Sequence, residues 1–317
     1  REYSLHEAIQ SLRTAQMARG SRHGRGLSLP LQANDDTGGE IVANETITVT
    51  PVSPVIGAEI SGVDLRQPLG NKAFAEIHQA LLDHQVIFFR DQDIDWDQHK
   101  AFGRRFGDLH IHPTAPAPDG HPEILVIHAD ENSKTIAGEN WHSDVSCDAE
   151  PPMGSILHLH EVPSPGGDTM FANMYAAYDA LSDAMKTLLD GMHARHESRH
   201  VHLGRLGNKG KMRDGTDAYP ESVHPVVRTH PETGRKALYV NENFTTRIEE
   251  LKPAESKALL EFLYRHVETP EFHCRFHWRP KSIAFWDNRC AQHRALWDYF
   301  PQTRHGYRVT VAGTRPY

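Results

Sequence analysis

Apolar side chains fall into two kinds of pattern along the chain, helical spacing and short compact runs. Phe74, Ile77 and Leu81 follow helical spacing, which predicts an amphipathic helix over residues 72–83. Similar apolar patterns predict further helical regions at 96–106, 176–192 and 253–267. Ser182 is expected to act as a helix N-cap inside the second of these regions.

Short apolar runs between the helices predict β-strands. They lie at 46–50, 85–90, 124–127, 155–159, 238–240, 272–278, 282–286 and 307–312. Because the strands and helices do not alternate regularly, we expect a mostly β fold with inserted helices. An antiparallel sandwich or jelly roll is favoured over a doubly wound parallel sheet.

Two segments differ from this pattern. Within residues 1–45, the stretch between Glu7 and Asp35 contains four arginines and no acidic residue. Such a composition occurs in organellar transit peptides, although it favours an N-terminal arm that is partly disordered or contacts a second copy in a homo-oligomer.

Glycines and basic residues in 200–222 predict a mobile loop. Such a loop could act as a lid over a binding site. The folded domain is therefore predicted to span residues 46–317.

The composition excludes several classes of protein. Acidic residues outnumber basic ones by 42 to 34, a formal net charge of −8, so no surplus of positive charge is available for binding nucleic acid. Purely apolar runs are only a few residues long, as at 86–89, which is far too short to span a membrane. The three cysteines lie far apart, which argues against a disulfide framework or a cysteine-based zinc site and favours a cytoplasmic protein.

Histidine is the over-represented residue type, with 23 copies where equal usage of all residue types would give about 16. Pairs of His-x-Asp or His-x-Glu occur at 121/123, 128/130, 142/144, 230/232 and 266/268. On a strand, residues i and i+2 point to the same face, so such a pair can bind one metal ion. A distant third histidine completes a facial triad suited to iron(II). The pattern alone does not choose among the five pairs, and each histidine is otherwise an ordinary core or surface residue.

Longer motifs resemble one family. The motifs are IGAEISG (56–62), FGDLHIHP (106–113), NWHSDV (140–145), PPMGSIL (151–157), PSPGGDT (163–169), HPVVRTHP (224–231), YVNENFTTRI (239–248) and WDNR (286–289), followed by Gln292, His293, Arg304 and Arg308. In this order and spacing they are similar to the taurine dioxygenase family of iron(II)- and 2-oxoglutarate-dependent oxygenases, which includes 2,4-dichlorophenoxyacetate dioxygenases and alkylsulfatases. The resemblance covers about residues 46–317 and implies a double-stranded β-helix, a form of jelly roll.

The resemblance implies a metal site and a cosubstrate site. His142, Asp144 and His293 match the iron ligands of the family. The cofactors that the resemblance implies are Fe(2+), 2-oxoglutarate and O2. Thr169 and Arg304 match the positions that bind the distal carboxylate of 2-oxoglutarate, and a guanidinium beside a hydroxyl suits two carboxylate oxygens. The implied reaction converts 2-oxoglutarate to succinate and CO2 while a carbon of the substrate is hydroxylated.

The resemblance also implies a small anionic organic substrate. His112, Arg308 and the backbone of Val145 match positions that hold the sulfonate of taurine, and Phe244 matches an aromatic wall of that pocket. Hydroxylation next to a sulfonate releases sulfite and an aldehyde. An organosulfonate is thus the expected substrate, and the alternatives are an alkyl sulfate ester or an aryloxyalkanoic acid.

The substrate pocket departs from the taurine enzymes. Smaller side chains stand at four positions where those enzymes carry aromatic or amide groups: Ala115, Gly138, Cys147 and Ser198. A substrate bulkier than taurine is therefore expected.

Two other classes of protein are consistent with a His-x-Asp pair: a non-catalytic jelly roll that binds metal, and a zinc hydrolase. Thr169 and Arg304 argue against the first, since a binding module has no need for a cosubstrate anchor.

Overall fold

The computed structural model describes residues 45–112, 117–201 and 219–317, which all fall in one compact unit. The predicted N-terminal arm, Ala115 and most of the 200–222 loop lie outside the described residues. The strands, in chain order, are β1 (Thr48–Pro51), β2 (Ala58–Ser61), β3 (Val86–Phe89), β4 (Leu125–Ala129), β5 (Gly154–Glu161), β6 (Thr169–Asn173), β7 (His193–Glu197), β8 (Glu221–Pro225), β9 (Val227–Thr229), β10 (Lys236–Leu238), β11 (Thr245–Ile248), β12 (His273–Phe276), β13 (Ser282–Asp287), β14 (Ala291–Ala295) and β15 (Arg304–Val311).

The helices are α1 (Asn71–His84), α2 (Trp96–Arg104), α3 (Met174–Asp179), α4 (Asp183–Leu189) and α5 (Pro253–Val267), with a 3-10 turn at Pro270–Phe272. The fold is therefore mostly β with inserted helices, as predicted. In the described part of the chain, no helix is both long and apolar enough to cross a bilayer.

A seven-stranded sheet forms the largest layer among the described residues. Its strand order is β1-β2-β3-β13-β5-β15-β4, and every neighbouring pair is antiparallel except β2 and β3. A three-stranded antiparallel sheet, β12-β6-β14, forms a second layer. Strands β11-β7-β8 form a separate small sheet, and β9 pairs with β10.

The central strand β13 shows how the layers pack. All six of its residues are buried, which is typical of a strand covered on both faces. Ile283 and Phe285 belong to one apolar cluster with side chains of α1 and α2. Ala284 and Trp286 belong to another, which contains Phe171 of the three-stranded sheet. Helices therefore cover one face of the large sheet and the small sheet covers the other.

The helix predictions are confirmed, with shifted ends. The region predicted over 176–192 is two helices, α3 and α4, and the Ser182 side chain caps the second by accepting a hydrogen bond from the backbone of Met185. Helix α2 ends at Arg104 rather than at 106. The apolar runs did not predict β2, β6, β7, β8, β9, β11 or β14, which are three to five residues long.

Candidate active site

The backbone brings two distant histidines side by side. His142 and His293 form an isolated antiparallel bridge, with backbone hydrogen bonds of 3.1 and 2.9 Å in the two directions. Their ring centroids are 4.2 Å apart. The Nδ1 of His142 donates to the Asn140 carbonyl oxygen over 2.8 Å, which leaves Nε2 with its lone pair available for a metal. The bridge thus joins the predicted ligand pair to β14.

Asp144 completes a buried group of three metal-binding side chains. Its Oδ1 lies 3.8 Å from Nε2 of His142 and 4.0 Å from Nε2 of His293, and the ligand atoms of all three lie within 4.8 Å of one another. His142 and Asp144 do not share a regular strand: His142 is a single bridge residue and Asp144 lies in a turn. The bridge and the turn nevertheless direct both side chains to one point.

Charge and burial set the protonation of these groups. Burial favours the neutral form of Asp144, but the charge of Arg308, together with a hydrogen bond from Ser155, outweighs burial and holds the pKa of this carboxyl well below its usual range. Burial, with the neighbouring His142, lowers the pKa of His293 well below its usual value. One carboxylate and neutral imidazoles are the forms that bind a divalent metal without first losing a proton. The donor set therefore fits iron(II).

The predicted cosubstrate residues lie together. Arg304 begins β15 and is buried; its Nε donates to the Gly167 carbonyl oxygen over 3.1 Å and its Nη2 contacts Thr169 Oγ1 at 3.4 Å. Trp278 Nε1 donates to the same hydroxyl over 3.0 Å. No carboxylate of the described residues forms an ion pair with Arg304, and burial lowers its pKa to about 10. A carboxylate ligand would offset the cost of burying this charge.

The predicted substrate residues lie on another side of the same group. Arg308 Nη1 donates to Asp144 Oδ1 over 2.6 Å, so its guanidinium bonds a predicted metal ligand, while its buried Nε has no hydrogen-bond partner. Val145 has a φ of 46°, an uncommon left-handed conformation for a β-branched residue. Such strain persists only where the surrounding structure enforces it and is frequent at active sites. Phe244 packs with Val145 and Cys147 in one apolar cluster.

One cavity joins these groups. It has a volume of about 430 Å³, and its lining includes all nine predicted site residues: His112, His142, Asp144, Val145, Thr169, Phe244, His293, Arg304 and Arg308. Apolar residues supply much of the remaining wall: Leu125, Ile127, Ile136, Leu157 and Trp286. Their role was not predicted, because all of them except Ile136 lie in apolar runs that are typical of buried strands. A second concavity, about 500 Å³ between β11 and α5, contains none of the nine residues.

The four small residues differ in position. Gly138 and Cys147 line the cavity, but Ser198 does not: its hydroxyl donates to the Pro220 carbonyl oxygen over 2.9 Å, and Pro220 faces the cavity instead. The prediction that Ser198 widens the pocket is therefore not supported by its position. Gly138 has a φ of +88°, and a Cβ there would lie 3.1 Å from Cε1 of His142. A side chain at this position would crowd the predicted metal ligand.

Within the part of the chain that the structure describes, the other His-x-Asp and His-x-Glu pairs do not form open metal sites. His230 is grouped with Asp287 and Cys290, but its Nε2 donates to Asp287 over 3.1 Å and its Nδ1 accepts the backbone N–H groups of Glu232 and Thr233. Arg289 bonds both oxygens of Asp287, so this group is already satisfied. His128 lies on β4 with its side chain 47% exposed, as expected for a strand surface, although it also borders the cavity.

The sequence of residues 48–310 matches the model of the taurine catabolism dioxygenase TauD, TfdA family. The chain belongs to this family. It is therefore an iron(II)- and 2-oxoglutarate-dependent dioxygenase, an oxidoreductase that uses Fe(2+), 2-oxoglutarate and O2. The geometry agrees, because the cavity combines a two-histidine, one-carboxylate group with a buried cationic anchor for a carboxylate.

Members of the TauD/TfdA family with named activities are similar to the chain over most of its length. The α-ketoglutarate-dependent (2-oxoglutarate-dependent) sulfonate dioxygenase of Saccharomyces cerevisiae is 35% identical over 283 residues, covering 85% of this chain and 68% of the yeast protein. The corresponding sulfate ester dioxygenase of Pseudomonas putida is 36% identical over 279 residues, with 85% and 91% coverage. A solved taurine dioxygenase from Burkholderia xenovorans has a TM-score of 0.74 at 37% identity, covering 86% of this chain and 92% of that one.

Proposed function

We propose that this dioxygenase hydroxylates the carbon next to the anionic group of an organosulfonate bulkier than taurine, with release of sulfite and an aldehyde. The observation that carries the proposal is the cavity itself. Arg308 and His112 line it together with the triad, while much of the remaining wall is apolar. A small set of polar groups in an otherwise apolar pocket fixes the orientation of a ligand whose body is hydrophobic.

In this proposal His142, Asp144 and His293 hold the iron, through Nε2, Oδ1 and Nε2. Iron(II) bound there supplies the coordination positions at which 2-oxoglutarate and dioxygen react. Asp144 remains ionised beside Arg308, and burial keeps His293 neutral. Once the substrate fills the cavity, it and the apolar wall exclude water from the reacting groups.

Arg304 and Thr169 are proposed to bind the distal carboxylate of 2-oxoglutarate. Arg304 is buried without an acidic partner among the described residues, and Thr169 offers a hydroxyl at 3.4 Å from the guanidinium. A carboxylate between them would gain a charge-assisted hydrogen bond and would pair the buried charge. Arg308, His112 and the backbone of Val145 are proposed to hold the anion of the primary substrate, with Phe244 as the aromatic wall.

An alkyl sulfate ester is the second candidate substrate. The sulfate ester dioxygenase of Pseudomonas putida resembles the chain as closely as the yeast sulfonate enzyme does, with identities of 36% and 35%. Sulfate esters and sulfonates present similar tetrahedral anions, so the same arginine suits both. An aryloxyalkanoic acid would present a planar carboxylate to this anchor instead.

We also propose a fold type, a domain range and a cellular location for the chain. Two facing sheets with helices on the outer face support a double-stranded β-helix, and residues 46–317 are proposed to form the dioxygenase domain. Cytoplasmic location is supported by the three cysteines, which are all buried and unpaired. An arm at 1–45, a homo-oligomer and a lid at 200–222 stay predictions.

A series of alkanesulfonates and alkyl sulfates of increasing chain length tests the substrate. Each methylene newly buried against the apolar wall is worth about 0.8 kcal/mol, nearly fourfold in affinity. Three or four carbons beyond taurine should therefore raise the specificity constant by roughly 50- to 250-fold. Cys147→Leu should move the optimum to shorter substrates, because it fills part of the cavity. A maximum at taurine in the wild type would contradict the assignment of a bulkier substrate.

A further inference from the structure

Asp144 is fixed by a closed ring of hydrogen bonds that involves two residues outside the cavity lining, Ser155 and Asn288. The backbone N–H of Asp144 donates to Asn288 Oδ1 over 3.2 Å. Asn288 Nδ2 donates to Ser155 Oγ over 3.2 Å, and Ser155 Oγ donates to Asp144 Oδ2 over 2.7 Å. All three residues are buried. The ring therefore ties the backbone and the carboxylate of Asp144 to the same two side chains.

The donors and acceptors of the ring have only one consistent arrangement. Asn288 Oδ1 faces two groups that can only donate, the backbone N–H of Asp144 and Nε1 of Trp286 at 3.0 Å. The Asn288 amide nitrogen must then face Ser155, whose oxygen accepts that bond. The Ser155 hydroxyl is left with its proton for the ionised carboxylate of Asp144, which only accepts. Neither an amide flip nor a hydroxyl rotation can be made without losing a buried hydrogen bond.

The ring selects one carboxylate oxygen for the metal. Oδ2 is turned away to Ser155, and Oδ1 faces the two imidazole nitrogens at 3.8 and 4.0 Å. Arg308 also bonds Oδ1, at 2.6 Å, but without the ring the carboxylate would be free to rotate about its last bond and offer either oxygen. Ser155 supplies the contact that removes this freedom at the oxygen away from the metal.

Ser155 and Asn288 are rigidly placed by the large sheet. Ser155 lies on β5 opposite Trp286 of β13, and Asn288 follows the end of β13, where its backbone N–H donates to the Met153 carbonyl oxygen over 2.8 Å. The preceding residue, Asp287, is anchored by Arg289 and His230. The turn that carries Asp144 is thereby attached to β5 and β13, two largely buried strands of the large sheet.

We propose that Ser155 and Asn288 are positioning residues for the metal-binding carboxylate, which act by presenting Asp144 Oδ1 to the ion. The inference rests on the proposed iron site. Loss of a residue that hydrogen-bonds a metal ligand costs about 10- to 100-fold in metal affinity. Ser155→Ala should therefore weaken binding of Mn(II) alone by that factor. Ser155→Cys, which keeps a weak S–H donor, should have an intermediate effect.

Ser282→Ala is the matched control. Ser282 is also a buried serine on the large sheet, at the far end of β13, and its hydroxyl bonds Arg90 rather than Asp144. Isothermal titration of the purified full-length protein with Mn(II), without cosubstrate or substrate, gives the dissociation constants. Metal-free melting temperatures should fall in both alanine variants, whereas only Ser155→Ala should lose part of the stabilisation that Mn(II) confers on the wild type.

Equal Mn(II) dissociation constants for Ser155→Ala and Ser282→Ala would overturn the inference. If Ser155→Ala gives no folded protein, the comparison is made between Ser155→Cys and Ser282→Cys, and equal constants there would overturn it in the same way. A wild-type protein that binds no Mn(II) would contradict the proposed iron site itself. The two failures are therefore distinguishable.

Discussion

Replacing His293 or Asp144 by Ala is expected to abolish decarboxylation of 2-oxoglutarate and to weaken iron binding. Each side chain provides one of three convergent ligand atoms in a buried site. The loss should exceed the roughly 10- to 100-fold effect that follows when a residue bonded to a ligand is removed. Succinate formation and Fe(II) titration under anaerobic conditions measure the two effects. His142→Ala should behave in the same way.

His193→Ala is a suitable control for these variants. His193 begins β7, and its half-exposed ring bonds the Glu250 carboxylate. It does not line the cavity. Activity and iron affinity should stay close to wild type. Full activity in His293→Ala would rule out the assignment of the triad.

Replacing Arg304 by Ala is expected to raise the KM for 2-oxoglutarate by roughly 30-fold to a few thousand-fold, because removing one partner of a desolvated ion pair costs about 2–5 kcal/mol. The KM for the sulfonate should change less. Arg304→Lys should recover only part of the affinity, since an ammonium cannot reproduce the planar fork of a guanidinium. Steady-state kinetics with each substrate varied in turn measures both constants.

Two arginines serve as comparisons for Arg304. Arg279→Ala, an exposed arginine before β13, should leave both constants near wild type. Arg308→Ala should act mainly on the primary substrate, with an additional loss of metal affinity because Arg308 bonds Asp144. Similar kinetic changes in the Arg304 and Arg308 variants would show that the two anion sites are not separate.

The sequence predicts the helices well because their signals are local. Apolar spacing defines α1, Pro253 opens α5, and the Ser182 cap divides the region 176–192 as expected. Strands β6 and β14 were not predicted, because their sequences, TMFAN and AQHRA, mix polar and apolar residues without a clear strand pattern, and both strands are fixed by pairing with partners distant in sequence. Thr169 and His293 lie on these two strands, so the missed elements carry part of the site.

The nine predicted site residues were identified from long family motifs rather than from the spacing of single residue types. Five His-x-Asp or His-x-Glu pairs are equivalent in sequence, and only the tertiary bridge between His142 and His293 distinguishes one of them. Burial of a histidine does not identify a metal ligand either, because His230 is buried but both of its ring nitrogens already have hydrogen-bond partners. Which small residues widen a pocket is also a tertiary property, as Cys147 and Ser198 demonstrate.

The central claim is that this cavity couples cleavage of 2-oxoglutarate to oxidation of an anionic substrate on iron(II). Release of labelled CO2 from 1-labelled 2-oxoglutarate, with and without iron(II) and a long-chain alkanesulfonate, tests it most directly. We expect CO2 release that requires iron(II), rises several-fold with the sulfonate, and is matched by sulfite. CO2 release that is independent of iron(II), or absent with every sulfonate, sulfate ester and aryloxy acid in a broad panel, would contradict it.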